Sequence, residues 1–162
     1  MARALIVGCG CRGRALGRAL IDEGWVVRGT SRRDQGLEPI AEAGIEPQVA
    51  DPDRIATVLD AIEGVALIYW LMGSAEGEPE AVADLHGPRL ERLLEEIVDT
   101  PVRGLVYELT DSTDPEHALA AFGALSAAGE RWRIPFEVVD CDPRDSRMWL
   151  EGMVGAGREL LG

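Results

Sequence analysis

Residues 3–13 read Arg-Ala-Leu-Ile-Val-Gly-Cys-Gly-Cys-Arg-Gly: a short apolar run followed by G-x-G-x-x-G at Gly8, Gly10 and Gly13. Leu5, Ile6 and Val7 form a continuous apolar run, the pattern of a strand buried on both faces of a parallel sheet. Ala15, Leu16, Ala19 and Leu20 then recur at helical spacing, Gly24 stops the helix, and Trp25-Val26-Val27 begins a second strand. The unit has the roughly 30-residue length of a βαβ motif. A glycine turn between strand and helix brings backbone close to a pyrophosphate, and the helix start supplies free N–H groups and a positive dipole end. The plainer reading of the same glycines is a tight turn that binds nothing.

The end of the second strand tells more about the ligand. A site for NAD places Asp or Glu there to accept from the ribose hydroxyls. This chain has Arg28-Gly29-Thr30-Ser31-Arg32-Arg33, with no carboxylate before Asp34. Two hydroxyls, Thr30 and Ser31, and two guanidinium groups, Arg32 and Arg33, suit a ribose 2′-phosphate, because arginine meets phosphate oxygens in a two-pronged geometry. NADP is therefore expected over NAD. The alternative, a solvated basic turn, has to explain its place in a strongly acidic chain.

Composition narrows the class. The chain has 162 residues, about one domain, and 46% of them are apolar, enough to fill a core. Net charge is −13, which makes nucleic acid and anionic membrane poor partners. No apolar run approaches the roughly 20 residues of a membrane span. Three cysteines, Cys9, Cys11 and Cys141, and no leader pattern lead to the expectation of a reducing, cytoplasmic setting. All 16 basic residues are arginine. Schiff-base chemistry and a P-loop both need lysine, so both are excluded.

Further strands are expected at Glu46 to Ala50, Val65 to Met72, Val102 to Leu109 and Pro135 to Asp140. Helices are expected near 36–43, from the Asp51-Pro52-Asp53 cap through Leu59 and Ile62, over about 80–98, over 116–131 and over 145–161. Alternating strands and helices imply an α/β doubly wound sheet in the order 3-2-1-4-5-6, with ligands at the carboxyl ends of the strands where that order reverses. The loops after strands one to five are expected to converge there.

Several segments together resemble the short-chain dehydrogenase/reductase superfamily, in its extended and atypical branches. The Gly8–Gly13 loop is similar to the glycine loop of atypical members, and Thr30-Ser31-Arg32 to their NADP-selecting turn. Asp51 stands where such proteins often contact the adenine. Leu85-His86-Gly87-Pro88-Arg89-Leu90-Glu91-Arg92-Leu93-Leu94 resembles the helix written Asn-x-x-Gly-Thr-x-x-Leu-Leu in extended members. Val102 to Tyr107 and Arg133 to Val139 resemble two later core strands, so the likeness covers nearly the whole chain. It implies a three-layer doubly wound Rossmann fold with a mostly parallel sheet of about six strands, here without a separate substrate domain. It also implies cofactor contacts at Gly8, Gly10, Cys11, Arg12, Gly13, Thr30, Ser31, Arg32, Arg33 and Asp51, and at Ser112 in the place of the family's active-site Ser/Thr.

The departures concern chemistry. The family's acid–base pair is Tyr-x-x-x-Lys on the helix after strand five. Here lysine is absent, the only tyrosines (Tyr69 and Tyr107) fall in expected strands, and Phe122 and Ser126 lie near the pair's positions. Phenylalanine cannot donate a proton, and serine lacks the charge that would lower a phenol's pKa. Two functions stay open: an NADP(H)-binding or regulatory module, and a small NADPH-dependent reductase that passes hydride to a flavin, quinone or tetrapyrrole acceptor, since the cofactor carries that chemistry. The acceptor would lie between the loops Gly73–Pro79 and Thr110–Asp114. A third reading, a nucleotide-binding domain that gates ion transport, normally keeps the acid that Arg32-Arg33 replace.

Other residues have a chemical and a plain reading. Arg12 either touches the cofactor phosphates or is solvated. Cys9 and Cys11 are a thiol pair beside a helix start or simply small residues in a turn. His86 is expected to open a helix at the crevice, either in catalysis or, as the plainer reading, in a local polar contact. Glu108, Asp111, Asp114, Asp140 and Asp142 either receive a cation or cap helices and solvate the surface. His86, His117 and Cys141 are too scattered for a metal site. Met148, Trp149, Met153 and Leu160 make the last helix a candidate homodimer contact, or it docks on the sheet.

Overall fold

A computed structural model describes residues 2–162. Six strands form one all-parallel sheet: β1 (Arg3–Val7), β2 (Val26–Ser31), β3 (Glu46–Val49), β4 (Leu67–Trp70), β5 (Gly104–Leu109) and β6 (Phe136–Asp140). Their order is β3-β2-β1-β4-β5-β6, as expected. The chain runs outward through β1, β2 and β3, then crosses back to β4 on the other side of β1. The reversal therefore lies between the carboxyl ends of β1 and β4, where Val7 pairs with Trp70.

Among the described residues, seven α-helices cover the sheet: α1 (Cys11–Asp22), α2 (Leu37–Glu42), α3 (Ile55–Leu59), α4 (Pro79–His86), α5 (Pro88–Glu96), α6 (Pro115–Trp132) and α7 (Ser146–Leu161). Alternate residues of each inner strand feed two cores. Leu5, Val7, Ile68, Trp70, Leu105 and Tyr107 pack with residues of α3, α4, α5 and α6. Ala4, Ile6, Val27, Leu67, Tyr69 and Val106 pack with residues of α1, α2 and α7. Burial on both faces is the reason for strands without apolar/polar alternation.

Three local readings are corrected. The single helix expected over about 80–98 is two, because Pro88 has no N–H and its ring excludes the carbonyl of Asp84 from a continuous ladder. Gly87 takes the break with φ −121° and ψ −104°, and Pro88 opens α5, where a proline fits. The Asp51-Pro52-Asp53 segment does not cap a helix. Asp51 Oδ1 instead accepts from the Asp53 N–H at 2.9 Å, a local turn, and α3 starts later, at Ile55. The fourth strand is confined to Leu67–Trp70, the stretch that pairs with both β1 and β5.

The last helix docks on the sheet. Trp149 and Met153 are buried in the second core, Tyr69 donates its hydroxyl to the Met153 carbonyl at 3.0 Å, and Met148 alone of the quoted apolar residues stands exposed. No helix among the described residues is long and apolar enough to cross a membrane.

Candidate functional site at the sheet reversal

The glycine turn is built around Gly8. Its φ of +86° favours glycine, and a Cβ there would stand 2.7 Å from Met72 Cε and 3.0 Å from the Leu71 carbonyl oxygen. The turn is pinned to the end of β2: the Cys9 N–H donates to the Thr30 carbonyl at 2.9 Å, and the Gly8 N–H to Thr30 Oγ1 at 3.3 Å. Thr30, 2% exposed, thus braces the loop from beneath. Gly10 precedes α1 and no side chain caps it. The first helical bond runs from Arg14 N–H to Gly10 O, which leaves the N–H groups of Cys11, Arg12 and Gly13 ahead of the ladder. No acid occupies that first turn. Gly13 serves packing as well: a Cβ would lie 3.2 Å from the Gly8 carbonyl oxygen and 3.3 Å from Ile6 Cγ2.

A cleft of about 400 Å³ opens over this turn, within the range of small-molecule sites. Its lining comes from Gly8, Cys9 and Gly10 of the turn, Arg12 and Arg14 of α1, Thr30, Ser31 and Arg32 at the end of β2, Asp51 and Asp53 after β3, and Leu71, Met72, Ser74 and Leu85 between β4 and the end of α4. Loops after β1, β2, β3 and β4 line it, and the loop after β5 stands beside it, with Thr110 Oγ1 3.5 Å from the hydroxyl of the lining residue Ser74. Ser31 shapes the turn after β2, donating to the Arg33 carbonyl at 2.8 Å and accepting from the Arg33 N–H at 3.2 Å. That turn leaves Arg32 exposed on the cleft wall, outside every ion pair of the described residues. Of the residues expected at the site, Gly8, Gly10, Arg12, Thr30, Ser31, Arg32 and Asp51 line the cleft; Cys11, Gly13, Arg33 and Ser112 do not.

Arg12 is half-buried and paired. Its Nη2 donates to both carboxylate oxygens of Glu108, at 3.1 and 2.9 Å. Glu108 is fully buried, which corrects its reading as a surface or capping acid. Among the other acids of that group, Asp114 does cap α6 by accepting from the Glu116 N–H, while Asp111 and Asp142 pair with Arg144 at the surface. The described residues contain no group of three or more His, Cys, Asp or Glu side chains able to hold a metal ion.

Cys9 is packed under Gly29, and burial pushes its thiol up to about 12, the opposite of a reactive thiol beside a helix start. His86 closes α4 rather than opening a helix. Its Nδ1 lies 2.5 Å from the Tyr107 hydroxyl, and its ring stacks on His117 with centroids 5.5 Å apart. Burial, then the neighbouring His117, lowers its pKa to about 4, and burial raises that of Tyr107. The pair is a neutral polar contact inside the core.

The loops after β4 and β5 are tied to each other. Thr110 Oγ1 and Thr113 Oγ1 both donate to the Gly73 carbonyl, at 2.7 and 2.9 Å. Phe122 is exposed and meets Phe136 edge to face.

No family model matches the chain, and no curated protein matches it in sequence. Solved structures match it in fold. UDP-glucose 4-epimerase from Brucella ovis in complex with NAD superposes with a TM-score of 0.71 at 12% identity, over 86% of this chain and 51% of that one. A short-chain dehydrogenase/reductase superfamily protein from Agrobacterium tumefaciens with bound NAD gives 0.67 at 20% identity, over 84% and 48%. Vestitone reductase from alfalfa gives 0.62 at 19%, over 86% and 56%. The chain spans about half the length of these proteins. Its architecture is their Rossmann fold.

Proposed function

We propose that the protein binds NADP(H) in the cleft at the sheet reversal and acts as a cofactor-binding or regulatory module. The observation that carries this reading is Arg32, exposed on the cleft wall where a site for NAD would hold a carboxylate. The N–H groups opening α1 would take the diphosphate. Arg32, with the Ser31 turn that presents it, would take the 2′-phosphate, and Asp51, also on the cleft lining, would face the adenine. Bound NAD in two proteins of this fold supports a nicotinamide dinucleotide as the ligand class.

Such a cofactor supplies hydride chemistry when bound. This chain's residues bind and orient it without the Tyr-x-x-x-Lys pair. The absence of that pair favours the binding module over a small reductase. A location in the cytoplasm fits the free cysteines. Arg32→Ala should weaken NADPH by about tenfold or more, the scale of a lost charge-assisted contact, and leave NADH within about twofold. Fluorescence titration of both cofactors reads this; equal losses would overturn the 2′-phosphate assignment.

A further inference from the structure

Glu108 binds its surroundings more fully than any other carboxylate near the cleft. Besides the two contacts from Arg12, its Oε1 accepts from the Gly73 N–H at 3.0 Å and its Oε2 from Trp149 Nε1 at 2.9 Å. One buried carboxylate thus joins the glycine turn, the loop after β4 and α7. Its cation comes from the second residue of α1, where the positive end of the helix disfavours a basic side chain. Stability alone is a poor reason for the arrangement, because apolar replacements of buried ion pairs are often neutral or stabilising. The arginine also has unused capacity. Among the described residues only Nη2 is engaged, Nε is buried without a partner, and about a third of the side chain (35%) remains exposed at the cleft.

We propose that Glu108 is the positioning residue for Arg12: it clamps one edge of the guanidinium beside the glycine turn so that the other edge meets the diphosphate of the ligand. The proposal rests on the cleft being a nucleotide site and adds to it a residue on β5, outside the cleft wall. Arginine suits this double use, since its planar fork serves two partners at once. The clamp fixes a side chain that would otherwise lose rotamer freedom on binding. Arg12 Cζ also lies 5.6 Å from the centroid of the Trp149 ring, whose N–H rests on the same carboxylate. A diphosphate drawn onto Arg12 changes the field at that indole, so Trp149 emission reports the event.

The experiment uses ADP as the diphosphate probe. Binding is followed by calorimetry and by tryptophan emission in the wild type, Glu108→Gln, Arg12→Lys, their double variant, and Trp149→Phe to assign the signal. ADP should bind each single variant about tenfold more weakly than the wild type, and the double variant no more weakly than either single. Saturating ADP should move wild-type emission, and the change should vanish in Glu108→Gln although heat of binding persists. Arg12→Lys keeps the buried charge pair and carries the test alone if Glu108→Gln does not fold. Wild-type affinity for ADP in both single variants, or a Trp149 emission that saturating ADP leaves unmoved, overturns the proposal. A parallel NADPH titration of the wild type separates the two readings. Coupled losses for ADP without dinucleotide binding uphold the clamp and sink the dinucleotide. NADPH binding with unaltered ADP affinity in the variants does the reverse, and a wild type that binds no ADP removes the clamp outright.

Discussion

His86 shows how one side chain ties the stability of this protein to pH. Its ring is 1% exposed, packed on His117 and bonded to the Tyr107 hydroxyl, so the folded protein holds it neutral. In the unfolded chain it takes a proton near its ordinary value of 6.5, and in the fold only near 4. Between those values the unfolded state binds more protons. The stabilisation from a neutral His86 is therefore complete above pH 6.5 and is lost as pH falls toward 4, at no more than about 1.4 kcal/mol per pH unit. Urea unfolding of the wild type at pH 7 and pH 5 should show this loss, and His86→Gln should lose less over the same interval. Parallel behaviour of the two proteins would contradict it. His86 was read from sequence as a polar contact, which it makes. Its position at the end of a helix and its stacking on His117 depend on the break at Gly87, which local pattern did not expose. Glu108 was hidden for a related reason: its partners Arg12, Gly73 and Trp149 lie 96, 35 and 41 residues away in the chain. The places of Gly8, Gly10, Ser31 and Arg32 at the two turns were legible in advance, because they follow from near neighbours in a strand–turn–helix, whereas the Thr30 hydroxyl, expected at a 2′-phosphate, instead accepts from the Gly8 N–H.

At the scale of the element, the same substitution has opposite signs in two helices. Gly17 lies in α1 with Ile45 packed on it, so that a Cβ would stand 2.8 Å from Ile45 Cγ1, and Ile45 is itself buried in the second core. Gly123 lies in α6 with nothing within 4 Å of a built Cβ. Alanine gains about 1 kcal/mol over glycine in a helix interior. At Gly123 that gain is unopposed, and Gly123→Ala should raise the thermal midpoint. At Gly17 overpacking costs about 1–3 kcal/mol, which exceeds the gain, and Gly17→Ala should lower it. A rise at both positions would mean that α1 shifts freely on the sheet. Sequence periodicity placed all six strands and most helices because both faces of the sheet are covered and the apolar runs stand out. It joined α4 to α5 because the leucines of α5 continue the helical spacing and mask the effect of Pro88.

For the molecule as a whole, topology carries most of the functional argument. An all-parallel sheet in the order β3-β2-β1-β4-β5-β6 brings the glycine turn, the Ser31–Arg32 turn and Asp51 to one edge, although they are spread over the first third of the chain. That convergence was legible, because right-handed crossovers leave few ways to wind such a sequence. The tie between the loops after β4 and β5 was not: it consists of the hydrogen bonds of Thr110 and Thr113 to Gly73, which no spacing rule encodes. The central claim is that an otherwise acidic chain, with net charge −13, builds a site for a phosphorylated dinucleotide. Titrating the wild-type protein with NADPH and with NADH, followed by cofactor and tryptophan fluorescence, tests it directly. The account predicts saturable binding of NADPH at one site well below millimolar, and tighter than that of NADH. No binding of either dinucleotide below about millimolar, or a clear preference for NADH, would contradict it.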